Sequence, residues 1–411
     1  MNAELVARRP AARRWLAAVG CAFAFAAAGV AADSPAARGA GGPASGSEAG
    51  VVIERATGSV QVVDERLRRA TARIEGLGDL SHAAVVFCAD ARFAYLFGRD
   101  GGLSKLDLAR GALVARTVQA GNSIGGAISK DGRVLAVANY DPGGVKLFDA
   151  GSLELLSEIP STYGDEGKRA KVVGIADAPG SRFVFSLFEA DAIWVVDASD
   201  PRSPRVARHE KVGRFPYDGL ITPDGRHYLA GLFGEDGLAM LDLEDPRANV
   251  RRILDGYGRG EQPLPVYKMP HLRGWAIAGD RVFLPAVGRH EVLVVDRHSW
   301  RSVATIPVHG QPVFVMARPD GGQVWVNFAF PHSANVQVID TATLAVTATL
   351  EPGKAVMHLS FDESGREVWI SARDDHRVVV YDTDTLEPRA YLPARSPSGI
   401  FFTWRSRVIG M

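Results

Sequence analysis

VMARPDGGQVWVNFAFPHSANVQVIDTATLAVTATL (315–350) decides the fold. Four β-rich runs are separated by three corners: Asp-Gly-Gly, then Pro-His-Ser-Ala-Asn, then Asp-Thr-Ala-Thr. Branched and aromatic residues in short runs favour strands, and clustered Gly, Pro, Asn and Asp supply the turns between them. The same order recurs at 127–159 (AISKDGR, VLAVANY, GVKLFDAGS, LELLSEI), at 220–245 and at 359–392. Working outward, a run ending in aspartate returns at Asp64, Asp107, Asp149, Asp197, Asp242, Asp296, Asp340 and Asp382. The steps between them are 43, 42, 48, 45, 54, 44 and 42 residues. One four-stranded sheet per repeat of this length is the pattern of a β-propeller. No run within 51–411 sustains helical periodicity, so the expected fold is all-β, an eight-bladed β-propeller.

Both ends of the repeat region support closure. The tail SGIFFTWRSRVIGM (398–411) begins like a blade and stops, and VVIERATGSVQVVDERLRRATARI (51–74) supplies the remainder of one. Pairing of N- and C-terminal segments would complete the eighth blade and leave no open sheet edge. The expected domain is therefore 51–411.

Charge and the N-terminus bound the function. With 47 basic and 47 acidic residues and no basic stripe, nucleic-acid binding has no electrostatic support. Arg8, Arg9, Arg13 and Arg14 precede an apolar stretch from Trp15 to Ala32, so 1–32 reads as an export signal, partly of twin-arginine type. The expected address is the periplasm, with a membrane attachment only if Cys21 is lipidated. Residues 33–50 (DSPAARGAGGPASGSEAG) read as a flexible linker. Cys88 is then the only thiol of the mature chain and reads as a buried small hydrophobe.

The turn after each first run provides a ruler around the ring. Counting back from it places His82, Ser123, Lys171, Pro216, His271, Pro312, Val356 and Pro397 at equivalent mouth positions. His82 and His271 fall four repeats apart and would face each other across the axis. Neutral imidazole suits both an axial iron ligand and a general base, and the two roles stay open at this stage. Lys171, Arg99, Arg169, Arg214, Lys268 and Arg395 gather near the same mouth, which suits a ligand with several carboxylates. Tyr217-Asp218 is a candidate proton relay. No Cys-x-x-Cys-His occurs, so no c-type haem is expected. The Gly-rich fragments lack a strand–Gly–helix context, which leaves a nicotinamide cofactor without support.

HAAVVFCADARFAYLFGRDGGLSKLDL (82–108) resembles the haem d1-binding propeller of cytochrome cd1 nitrite reductase. A more extensive resemblance, to the NirF family of haem d1 biosynthesis proteins, covers 51–411. It is carried by RIEGLGDLSHA (73–83), GNSIGGAIS (121–129), NYDPGGVK (139–146), FPYDG (215–219), LPVYKMPHL (264–272) and ARSPSGIFF (394–402). The resemblance implies that haem d1 or dihydro-haem d1 is the ligand, with His82 the axial iron ligand and His271 on the distal side. It implies Lys171 facing the macrocycle's carboxylates, and NirN and cytochrome cd1 nitrite reductase as partners. Two activities follow from it: dehydrogenation of a propionate side chain in a late maturation step, or non-catalytic carriage of the tetrapyrrole to those partners.

Overall fold

A computed structural model describes residues 48–245, 249–256, 275–286 and 288–408. Eight four-stranded antiparallel sheets account for all strands except one short hairpin, Thr162–Tyr163 with Lys168–Arg169. The innermost strands are Ala84–Phe87, Asn122–Ile128, Val172–Ala178, Pro216–Ile221, Ala276–Ala278, Pro312–Ala317, Val356–Phe361 and Pro397–Phe402. Blades are numbered 1 to 8 in that order. The expected propeller and its closure are both present. Blade 8 takes its inner strand from the C-terminus and its other three from the N-terminus, with Val51 opposite Phe401 and Val52 opposite Ile400. Its first N-terminal strand begins at Ala49, so the last two residues of the 33–50 stretch belong to the blade. The rest of that stretch up to residue 47, and the 1–32 segment, lie outside the described residues.

The eight recurring aspartates have a local cause. Each ends the third strand of its blade, and its carboxylate accepts a backbone N–H two or three residues on, from Leu67 at Asp64 through to Thr385 at Asp382. Such Asx turns reverse the chain into the outer strand without help from the rest of the fold. The two long steps also have an origin. The short hairpin lies in the step of 48 residues, and the undescribed 257–274 lies in the step of 54.

Apolar residues pack between neighbouring blades. Phe183 and Phe185 of blade 3 meet Val145 and Leu147 of blade 2, and Trp369 of blade 7 meets Phe402 and Ile400 of blade 8. The closure is also held by a buried carboxylate. Glu54, fully buried, accepts from Ser59, Gln61, the backbone N–H of Arg395 at 2.8 Å, and both Nε and Nη2 of Arg73. Burial pushes its pKa up, but the Arg395 N–H and the Arg73 guanidinium outweigh that and hold it below the usual range. A 3-10 turn, Thr403–Arg407, packs against the inner strand of blade 1, and its Arg405 lines a pocket at the far end of the channel.

Cys88 is more than a small hydrophobe. Its thiol donates to Asp90 and its sulfur accepts the Phe93 N–H, as the Ser129 hydroxyl does with Asp131 and Val134 in the next blade. Thr222 with Asp224 and His227 repeats the arrangement in blade 4. Burial, then Asp90, pushes the thiol up to about 11, which leaves it protonated and structural.

Candidate functional site

The inner strands carry a repeated irregularity that builds the site. In blades 2, 3, 4, 6, 7 and 8 the register to the second strand slips just below the mouth. A β-bulge leaves residues unpaired and re-aims their side chains. The residues freed this way are Ile124, Gly174-Ile175, Tyr217-Asp218, Val313-Phe314, Met357-His358 and Ser398-Gly399. All but Val313 line one open cavity, about 1100 Å³ with the solvent space at its mouth included. His82, just before the inner strand of blade 1, and Arg55 of blade 8 complete its polar wall.

One glycine makes the arrangement sterically feasible. Gly174 has φ 62°, and a Cβ there would stand 2.8 Å from the Tyr217 carbonyl oxygen and 2.7 Å from the Tyr228 hydroxyl. The Tyr228 hydroxyl donates to the Gly174 carbonyl at 2.8 Å, which clamps the bulges of blades 3 and 4 together. Over this low spot Tyr217 reaches Tyr140 of blade 2, hydroxyl to hydroxyl at 3.0 Å. Burial, then the Asp218 carboxylate, pushes Tyr217 up to about 12, and burial with the Tyr217 contact pushes Tyr140 higher still. Both phenols are protonated donors near neutral pH. Asp218, only 6 % exposed, lines the cavity beside Tyr217.

His358 is a cavity residue that the ruler did not single out. It is buried, stacked on Phe401 with ring centroids 5.5 Å apart, and edge-on to Phe314. Its Nδ1 accepts the Ile400 N–H at 3.2 Å. An imidazole whose Nδ1 accepts keeps its proton on Nε2, so the neutral ring offers a donor there and not an iron ligand. His82 is the other described imidazole on the cavity wall.

The remaining expected residues distribute around and away from the rim. Lys171 is ion-paired with Glu189, and its ammonium lies 5.9 Å and 5.7 Å from the Tyr140 and Phe188 ring centroids. Arg169 sits on the short hairpin, paired with Glu158 at 2.9 Å. Arg214 is exposed over Phe215, and Arg395 points to Glu75 at 3.9 Å. None of these four is in the described cavity wall, and Lys171 and Arg169 are neutralised by neighbours. Arg99 is exposed at the rim, and its charge acts on both Arg55 and Tyr217. His271 and Lys268 lie outside the described residues. Among the described residues no group of three or more His, Cys, Asp or Glu side chains could hold a bare metal ion. An imidazole on a largely apolar cavity wall instead suits a metal that brings its own in-plane ligands.

Comparison with known proteins agrees with the propeller fold. The family model described as Cytochrome D1 heme domain matches residues 45–406. Protein NirF of Stutzerimonas stutzeri is 57% identical over 88% of this chain and 93% of its own length. Protein NirF of Pseudomonas aeruginosa is 56% identical over the same shares. Among solved structures, the dihydro-heme d1 dehydrogenase NirN in complex with DHE superposes with a TM-score of 0.76 at 26% identity. That match covers 87% of this chain and 76% of the other.

Proposed function

Because the chain belongs to the NirF family and carries the Cytochrome D1 heme domain, we propose that its cavity binds haem d1 or dihydro-haem d1 during a late step of cofactor maturation. One observation carries this reading: six bulged inner strands turn their freed residues into one cavity, with His82 on its wall, in a fold similar to NirN in complex with DHE. His82 would hold the ligand's iron through its imidazole. Phe314, Phe401 and Ile124 give the macrocycle an apolar bed, and His358 donates to its polar edge. The export-signal pattern of residues 1–32 supports a periplasmic site of action.

As an enzyme, the protein would take part in converting a propionate side chain to acrylate. Asp218 is placed to accept one of the two protons lost from the side chain, and the second leaves with the two electrons to a hydride or electron–proton acceptor from outside the chain. The lack of a Cys-x-x-Cys-His motif favours a second reading, carriage of the tetrapyrrole to NirN or cytochrome cd1 nitrite reductase. Anaerobic incubation with dihydro-haem d1, with and without an added electron acceptor, separates the two. Acceptor-dependent conversion supports catalysis. Unchanged ligand that moves to nitrite reductase lacking its haem d1 supports carriage. A protein that neither converts nor releases the tetrapyrrole contradicts both.

A further inference from the structure

The rim of the mouth is chemically divided, and the division follows one repeat position. The residue after the second strand of a blade is Arg373 in blade 7 and Arg55 in blade 8, with Arg99 one place later in blade 1. The same region of blades 2, 3 and 4 presents Tyr140, Phe188 and Phe233. Phe188 stacks on Phe215 at 4.9 Å and meets Tyr217 and Phe233 edge-on, so blades 3 and 4 share one ring surface, which Tyr140 of blade 2 joins through its hydroxyl contact with Tyr217. One arc of the mouth, blades 7, 8 and 1, is cationic, and the adjoining arc, blades 2 to 4, is aromatic.

The cationic arc is not internally balanced. Arg373 is held by Asp374 through two hydrogen bonds, of 2.6 Å and 3.1 Å. Neither the Arg55 nor the Arg99 guanidinium makes a hydrogen bond or ion pair among the described residues, and Arg55 lines the cavity. Burial, then the like charges of Arg373 and Arg99, lowers the Arg55 pKa despite the attraction of Asp79 and Asp374. A half-buried guanidinium beside two others is placed for an incoming anion, and its planar fork matches a carboxylate. Lys171, on the aromatic arc, already has its anion in Glu189.

We infer that Arg55, with Arg99, is the carboxylate receptor of this cavity and fixes the in-plane orientation of its ligand. The carboxylate-bearing edge of a planar tetrapyrrole lies over blades 7, 8 and 1, and its apolar edge lies against Tyr140, Phe188 and Phe233. This rests on the tetrapyrrole reading above and adds to it which edge faces which blades. It also moves the carboxylate contact away from Lys171.

The test compares binding of dihydro-haem d1 with that of its fully methyl-esterified form, by absorption titration of the full chain. Wild type is expected to prefer the free acid by about tenfold or more, the usual worth of a charge-assisted bond. Arg55→Gln narrows that preference to about twofold, Arg55→Lys restores part of it, and Lys171→Gln leaves it in place. Unchanged melting temperatures show that each variant is folded. A preference retained in Arg55→Gln, or lost in Lys171→Gln instead, overturns the assignment. Wild type that binds acid and ester equally refutes the carboxylate receptor alone, while wild type that binds neither refutes the tetrapyrrole reading with it.

Discussion

Glu65→Gln is expected to stabilise the protein, and increasingly so as pH rises. Glu65 follows the Asp64 turn in blade 8, beside the seam where the two ends of the chain meet. It is 8 % exposed, and its Oε1 has no hydrogen-bond partner among the described residues. Burial comes first among the causes, followed by the charges of Asp362, Glu48, Glu363 and Asp64, and together they push its pKa from 4.5 to about 9. The folded protein therefore holds a proton that the unfolded chain gives up. Stability contributed by that proton is complete below pH 4.5 and is lost as pH rises toward 9. Each pH unit in the window costs about 1.4 kcal/mol, so the loss reaches roughly 3 kcal/mol by pH 7. Glutamine keeps the shape and cannot ionise. For a propeller of this size the difference is about 4 °C in melting temperature at pH 7, and near zero at pH 4.5. Thermal melts of both forms at half-unit pH steps give the answer. Parallel curves for Glu65→Gln and wild type would refute the reasoning.

Three other outcomes are expected. Glu54→Ala leaves Arg73 and the Arg395 N–H without their carboxylate and should cost about 3–5 kcal/mol in denaturant unfolding, with limited proteolysis opening the chain termini first. Cys88→Ser should melt within about 1 kcal/mol of wild type because a hydroxyl makes the same turn bonds, whereas Cys88→Ala should lose about 1 kcal/mol more. Gly174→Ala forces a Cβ against the Tyr217 carbonyl and the Tyr228 hydroxyl, so about 2 kcal/mol of stability should be lost together with tetrapyrrole affinity.

The fold was legible because its signal is local. Each Asx turn at Asp64 through Asp382 closes within three residues, so a single sequence contains the whole interaction. In the seven blades whose counted position is described, the mouth ruler was correct to within two residues: the inner strands of blades 4, 6, 7 and 8 start at Pro216, Pro312, Val356 and Pro397 as counted, while the blade 5 position, His271, lies outside the described residues. The bulges were not legible, since they arise from how the inner strand registers on its neighbour. The cavity wall consequently falls one or two residues past the counted positions, which is why Tyr217 and Asp218 were named but Phe314 and His358 were not. Cation readings suffered from the opposite problem. Lys171 and Arg169 are near the mouth in sequence, but Glu189 and Glu158, 18 and 11 residues away, neutralise them in space. Arg55 and Arg373 did leave a signal, as the counterparts of Arg99 after the second strand, although alignment of the repeats at that turn is needed to see it.

The central claim is that this cavity takes a haem d1-type tetrapyrrole through His82. Anaerobic absorption titration of wild type and His82→Ala with dihydro-haem d1 tests it most directly. The account predicts a saturable, one-to-one spectral shift in wild type, and a different iron spectrum with at least about tenfold weaker binding in His82→Ala. Identical spectra and affinities in the two proteins would contradict His82 as the ligand, and no shift in wild type would contradict the tetrapyrrole site itself.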